Sequence, residues 1–283
     1  MVYLFLVTII WSFSFSLIGV YLTGVVDSWF AVVTRILLAF LVFVPFLRFR
    51  IFSLKQKILL MSVGASQLGV MYIFYYHAFY YISVPELLLF TIFTPIYVTL
   101  LYDILQRHPI RVSYLLVAIF AVIGTAIIRY DHISVNFMTG FLLIQGANIA
   151  FAVGQVGYKR IMELYHLPQH YSFAWVYMGA VIISIICWLI FGNAQQLPTT
   201  ITQWLIIIWL GIFASGVGYF LWNYGATKVD SGMLAIMNNM VIPVGILLNV
   251  VIWHHQIDWI RFISGSAIII LSIVIHQKWL ARS

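Results

Sequence analysis

Residues 84–106 read VPELLLFTIFTPIYVTLLYDILQ. The stretch is long enough to cross a bilayer, because about 20 residues at roughly 1.5 Å each match a hydrocarbon core near 30 Å. Its polar content makes it informative. Glu86 lies near one end, Asp103 near the other, and Thr91, Thr94 and Pro95 sit between them. A carboxylate at membrane depth must face protein or a water-filled cavity, and so marks a candidate functional site. Glu86, Thr94 and Tyr97 fall at i, i+8 and i+11, which places them on one face of a continuous helix. That face is expected to form one wall of a cavity, with Pro95 as a break in mid-helix.

The rest of the chain repeats the apolar character of this stretch. Of 283 residues, 64% are hydrophobic and 7% charged, a balance that no soluble domain surface tolerates. The expected fold is an all-α membrane protein with ten transmembrane helices, near 2–23, 28–47, 57–81, 84–105, 112–130, 137–158, 171–192, 202–226, 232–253 and 260–279. The segment at 2–22 lacks a basic leader and a small-residue cleavage site, so it reads as a retained span. The single cysteine, Cys187, lies in an apolar run and excludes a disulfide framework. No spacing of His, Cys or acids suggests a metal site, no cofactor is implied, and no nucleophile–base constellation suggests an enzyme.

The basic residues set orientation. Arg48, Arg50, Lys55, Lys57, Arg107, Arg111, Lys159, Arg160, Lys228, Lys278 and Arg282 fall on one side, and Arg129 and Arg261 on the other. This asymmetry predicts cytoplasmic N- and C-termini, with the lipid bilayer rather than nucleic acid as the environment of the +7 charge. Five spans per half is an odd number, so repeats at 1–132 and 133–283 would insert upside down relative to each other. Pro95 and Pro243 at matching positions support such a duplication. The other reading is that prolines are simply common in membrane helices.

Polar stripes mark where a cavity would run. Gln145, Asn148, Gln155 and Lys159 fall at i, i+3, i+10 and i+14. Asn238 and Asn239 precede Pro243, where a missing N–H would free a carbonyl. Tyr72, Tyr75 and Tyr76 in one span, and Ser215, Tyr219, Trp222 and Asn223 in another, add aromatic rings and polar tips. Interhelical glue, roughly 0.6 kcal/mol per hydrogen bond, is the competing reading for each. His77 reads as a packing histidine. Thr8, Ser12, Ser16 and Gly19 read as a packing face of the first span. Arg35 lies about two turns inside the second span. It can pair with Glu86, or hold a ligand carboxylate bidentately.

Several stretches together resemble a known family. WSFSFSLIG (11–19), TRILLAFLVF (34–43), the Pro95 segment, LIQGANIAFAVGQVGYKR (143–160) and LGIFASGVGYFLWNYGATK (210–228) are similar in order and spacing to the ten-span EamA branch of the drug/metabolite transporter superfamily. VPELLLFTIFTP, LYDILQR, VIGTAIIRYDH, VGYKRIME, PQHYSFAW and NYGATKVDSGMLAIMNN are closer to its carboxylate/amino acid/amine transporters, and among these to the bacterial biotin-transporter group. The resemblance implies two inverted five-helix repeats around a central cavity, and biotin import by alternating access in the bacterial inner membrane. On that implication Arg35, or Lys159 after the switch, holds the carboxylate. Asn148, Asn238 and Asn239 satisfy the ureido group, and Tyr72, Tyr76 and Trp222 cover the ring. Thr94, Tyr97, Gln155 and Tyr219 complete the expected lining. Moving an anion into a negative cell is opposed by roughly 2.3 kcal/mol per 100 mV, which a co-transported proton on Glu86 would offset. The alternatives are an exporter of amino acids or amines, and a non-transporting membrane subunit. One departure matters: many relatives carry a Gly-Glu pair just past the proline helices, where this chain reads Gln106-Arg107-His108 and His254-His255-Gln256.

Overall fold

Four helix starts are fixed by side chains that accept from backbone N–H groups otherwise left without partners. Asp27 Oδ1 accepts from Phe30 N at 2.8 Å, and Asp230 Oδ1 from Met233 N at 2.9 Å. Ser53 with Gln56, and Thr200 with Gln203, form reciprocal capping boxes. These polar residues set where the chain leaves one span and enters the next.

The computed structural model describes residues 1–82, 90–107, 137–253 and 258–275, with isolated positions 87, 112, 116, 119, 120 and 123. The regular structure of the described residues is helical. We number the helices α1 (Val2–Leu22), α2 (Ser28–Phe46), α3 (Leu54–Ala78), α4 (Thr94–Gln106), α5 (Met138–Tyr165), α6 (Gln169–Phe191), α7 (Ile201–Ala226), α8 (Ser231–Ile252) and α9 (Trp259–Ile275). Seven of these, α1–α3 and α5–α8, are long and apolar enough to cross a membrane. Helix α4 and the apolar core of α9 are shorter. The span expected at 112–130 lies largely outside the described residues, as do Glu86, Arg111, Arg129, Lys278 and Arg282.

Consecutive helices run up and down except α4 and α5, which run the same way: Tyr97 meets Gln145 early in α5 and Tyr102 meets Glu163 at its end. One end of the bundle, here called proximal, holds the start of α1 and the α2–α3 and α7–α8 turns. Tyr3 meets Tyr224 there at 5.1 Å, and Phe49 meets Trp175 at 5.2 Å. At the distal end Trp29 stacks on Phe191 at 5.1 Å, and Asp27 N donates to Gln196 O at 2.7 Å. Helices α3 and α6 cross so closely that only glycine fits. A Cβ on Gly64 would lie 1.7 Å from Val176 O, and one on Gly179 1.9 Å from Met61 O. Such small-residue crossings replace the hydrophobic drive that lipid cannot supply. Large apolar side chains on the periphery, such as Leu189, Ile190 and Ile260, remain exposed.

Both proline spans differ from the expected continuous helices with a mid-helix kink. A single 3-10 turn at Thr91–Phe93 precedes α4, and Pro95 sits in the first turn of α4 itself. In α8 the helix Ser231–Asn239 turns at Met240 and resumes at Val241, so that Pro243 again lies in a first turn. A proline there loses no helical bond, because a first-turn N–H has no partner anyway. The breaks thus lie just before the prolines. The first half of α8 packs against α4, which brings the two breaks together.

Candidate functional site

A cavity of about 100 Å³ lies inside the bundle, room for several waters. Helix α1 contributes Trp11 and Phe15, α3 Tyr72 and Tyr75, and α7 Tyr219. Polar groups arrive from four other directions: Arg35 of α2, Thr94 of α4, Asn148 of α5 and Asn238 of α8. The arrangement is that of a small-molecule site, mostly apolar and aromatic with a few convergent polar groups.

Arg35 dominates the site electrostatically. It is 2% exposed. Nε donates to Ser215 Oγ at 2.8 Å, Nη1 to Tyr76 OH at 2.9 Å and Nη2 to Tyr72 OH at 2.9 Å. Its guanidinium carbon lies 4.1 Å from the Tyr72 ring centroid, a cation–π contact. The local fold builds this cage. Tyr72 and Tyr76 are four residues apart and share a face of α3. A π-helical stretch, Leu210–Val217, carries Ser215, and Tyr177 OH donates to the Ser215 and Gly216 carbonyls. All the partners are neutral. No carboxylate among the described residues comes within ion-pair distance of Arg35, and the pairing with Glu86 falls outside them. Burying an unpaired cation costs several kcal/mol, and hydroxyls offset only part of it. The site is therefore biased towards an anion.

The amides near the α4 break do a different job from the one their spacing suggested. Asn148 Nδ2 donates to Phe90 O at 2.8 Å and Gln145 Nε2 to the same oxygen at 3.2 Å. Asn239 Nδ2 donates to Ile92 O at 3.3 Å. These side chains brace the backbone of the 3-10 turn, beside which Pro95 has no N–H to give the ladder. Tyr97 OH donates to Gln145 Oε1 at 3.0 Å. Side chains of α5 and α8 thus hold the broken segment in place.

Aromatic rings floor the cavity on its proximal side. Trp11 lies 4.7 Å from Tyr219, 4.8 Å from Trp222 and 5.9 Å from Phe151. Its Nε1 donates to Ala214 O at 3.0 Å. Further proximal, Lys159 Nζ donates to Ala226 O at 2.9 Å and Val229 O at 2.5 Å, and lies 3.6 Å from Glu163 Oε1. Glu163 also accepts from Tyr102 OH at 2.7 Å and Gln106 Nε2 at 3.1 Å, and pairs with Arg160 at 3.3 Å. This network ties α4, α5 and the α7–α8 turn at the proximal end.

Of the residues expected to line the cavity, Arg35, Tyr72, Thr94, Asn148, Tyr219 and Asn238 are on its wall. Tyr76 stands behind Arg35 and bonds it. Gln155, Trp222 and Asn239 are completely buried away from the wall, and Tyr97 is turned to Gln145. The face expected from i, i+8 and i+11 spacing assumed an unbroken helix from residue 86 on; the 3-10 turn changes the phase of α4 relative to the residues before it, and within α4 Thr94 lines the cavity while Tyr97, three residues on, is drawn to Gln145. The packing face of α1 is as expected, with Thr8, Ser12 and Ser16 buried. Its other face supplies Trp11 and Phe15, which sequence reading missed because aromatics in a span read as lipid-facing. Glu163 was also missed, though its i, i+4 spacing from Lys159 continues the α5 stripe. Asp103, near the other end of the opening stretch, is completely buried. His77 accords with packing: Nδ1 lies 2.7 Å from Ile73 O and its ring 4.3 Å from Trp29.

Comparison with known proteins gives a consistent result. The model of the EamA-like transporter family matches residues 1–130 and 138–276. The biotin transporter of Salmonella typhimurium is 54% identical over 281 residues, covering 99% of this chain and 94% of its own length. The biotin transporter of Escherichia coli K12 matches at the same identity and coverage. The probable biotin transporter of Pseudomonas aeruginosa is 47% identical, covering 97% of this chain and 96% of its own. A solved crystal structure superposes with a TM-score of 0.77 over 99% of this chain and 96% of its own, at 18% identity, and so shares the fold.

Proposed function

The chain belongs to the EamA-like transporter family, and on that premise we propose that it carries biotin across the bacterial inner membrane by alternating access. The observation that carries the reading is Arg35: a buried cation on a cavity wall, held by hydroxyls and facing no described carboxylate. Biotin supplies a carboxylate for it. Its apolar bicycle fits against Trp11, Tyr72 and Tyr219; its ureido N–H donates to Asn148 Oδ1, the Asn148 amide nitrogen being spent on Phe90 O and Gln145 Oε1, and its ureido oxygen accepts from Asn238 and Thr94. Relatives called biotin transporters, 54% identical over nearly the whole length, support this choice of ligand.

The proposed architecture is ten spans in two inverted five-helix repeats, residues 1–132 and 133–283. Two matched family segments and two helices broken just before a proline support it. Arg48, Lys55, Lys57 and Lys228 at the proximal end favour a cytoplasmic side there, with both termini cytoplasmic. The Lys159–Glu163 network then closes the cytoplasmic end. Opening it would free Lys159 to meet the arriving carboxylate. Glu86 is the proposed proton carrier, since a co-transported proton would offset the roughly 2.3 kcal/mol per 100 mV that opposes anion entry.

Purified protein in liposomes tests the reading. Accumulation of labelled biotin, competed by unlabelled biotin, is expected. Liposomes that stay at background would reject it. An imposed pH gradient should change the initial rate, and a rate indifferent to it would remove the proton step alone.

A further inference from the structure

Beneath the aromatic floor two buried side chains carry polar atoms that no described residue satisfies. Gln155 is completely buried, and neither its Nε2 nor its Oε1 has a hydrogen-bond partner among the described residues. The indole Nε1 of Trp222, equally buried, has none either. Polar atoms buried without partners are destabilising, and native folds keep few of them. Two on facing helices at one level call for a reason other than stability.

Their level follows from contacts above and below. On the cavity side α5 and α7 meet through Phe151 and Tyr219, with ring centroids 6.2 Å apart. On the proximal side they meet through Lys159 Nζ and Ala226 O at 2.9 Å. Gln155 lies one turn from both Phe151 and Lys159 along α5. Trp222 lies one turn from both Tyr219 and Ala226 along α7. Both therefore occupy the layer between cavity and proximal lock, and Trp11, 4.8 Å from Trp222, covers that layer on the cavity side.

We infer that Gln155 and Trp222 form a second polar station on the translocation route, for a ligand group in which a carbonyl is flanked by N–H, such as an amide or cyclic urea. The indole N–H and the Gln155 amide N–H donate to the carbonyl oxygen. Gln155 Oε1 accepts from the flanking N–H. An amide side chain offers both roles at once. The station is reached when Trp11 leaves Trp222 and the floor parts, so it serves passage rather than first capture. This inference rests on the biotin-carrier reading, whose ligand carries a cyclic urea.

The test compares wild type, Gln155→Leu and Trp222→Phe, each purified and reconstituted, in equilibrium binding and in uptake of labelled biotin. Both variants should bind biotin within about threefold of wild type, since the cavity wall is untouched, yet move it at least about tenfold more slowly. The thermal midpoint of Gln155→Leu should not fall, because it removes no satisfied bond and nearly conserves volume, whereas that of Trp222→Phe should fall by the packing lost against Trp11. Uptake of 2-iminobiotin, in which an imino group replaces the ureido oxygen, should be slower than that of biotin in wild type, and this difference should shrink in Trp222→Phe. Uptake within about twofold of wild type in both variants would overturn the station, as would binding that falls by the same factor as uptake. If Gln155→Leu fails to insert, Trp222→Phe, which keeps an aromatic six-membered ring, decides alone. Wild type that neither binds nor moves biotin would overturn the carrier reading and the station with it; normal wild-type transport beside unaffected variants would overturn the station only.

Discussion

Arg35 and Lys159 are both buried cations, 2% and 4% exposed, and the bundle treats them in opposite ways. Arg35 is caged by three hydroxyls on a cavity wall. Lys159 is spent on two backbone carbonyls and the carboxylate of Glu163. The first leaves charge without a described counter-charge, so an arriving anion adds something the described residues do not supply. The second is neutralised within the fold, so breaking it releases a cation. A guanidinium suits the first role because its planar fork holds several partners in fixed directions, and an ammonium suits the second because it is a compact charge on a flexible stem. The difference separates a binding group from a lock.

The largest effect is expected at Arg35. Arg35→Ala should lower biotin uptake by at least about 100-fold while the protein inserts normally, since a charged partner of a buried carboxylate is worth about 2–5 kcal/mol. Arg35→Lys should recover only part, because an ammonium cannot reach Ser215, Tyr72 and Tyr76 together. Uptake kinetics in reconstituted vesicles check both, and near-normal transport by Arg35→Ala would erase the contrast with Lys159. A smaller loss, about tenfold, is expected for Tyr72→Phe, which removes a hydroxyl from a charged group at about 1.5–3 kcal/mol and leaves the ring. It should appear in binding affinity, and an unchanged Kd would move Tyr72 out of the cage.

At the lock, Glu163→Ala should raise access to the proximal side about threefold, as expected for partly exposed ion pairs worth up to about 1 kcal/mol. The rate at which a polar thiol reagent labels Ala226→Cys in a Cys187→Ala background reads this directly. Unchanged labelling would mean that Glu163 holds nothing shut. The smallest effect belongs to His77→Phe. Its ring packs on Trp29, so uptake should stay within about twofold of wild type. A larger drop would give His77 a part in transport that its packing does not suggest.

How much of this was legible beforehand depends on whether one helix or several had to be read. The membrane class follows from composition, and Arg35 and Tyr72 follow from polar groups standing in apolar runs. The stripe Asn148–Gln155–Lys159 is correct as a face because α5 is unbroken from Met138 to Tyr165. Phase arguments failed where the helix is interrupted. Counting on from residue 86 through the 3-10 turn does not give the phase of α4, and within α4 the amide of Gln145, 48 residues away, holds Tyr97 off the cavity wall. Asn239 was read as a ligand for substrate, whereas it caps a carbonyl of the other broken segment, a partner 147 residues away that no local pattern reveals. Trp11 and Phe15 carry no polar signal, so only packing shows that they face inward. Lys159 was legible as the last member of the α5 stripe, but the carbonyls of Ala226 and Val229 that occupy it were not.

The central claim is that Arg35 is the group that recognises a carboxylate, and one double comparison tests it directly. Binding of biotin and of its methyl ester is measured to wild type and to Arg35→Gln. Wild type should prefer the free acid by at least about tenfold, and Arg35→Gln should bind acid and ester alike within about twofold, because the ester removes the charge that Arg35 reads. An Arg35→Gln protein that keeps the wild-type preference for the acid would show that the carboxylate is held elsewhere.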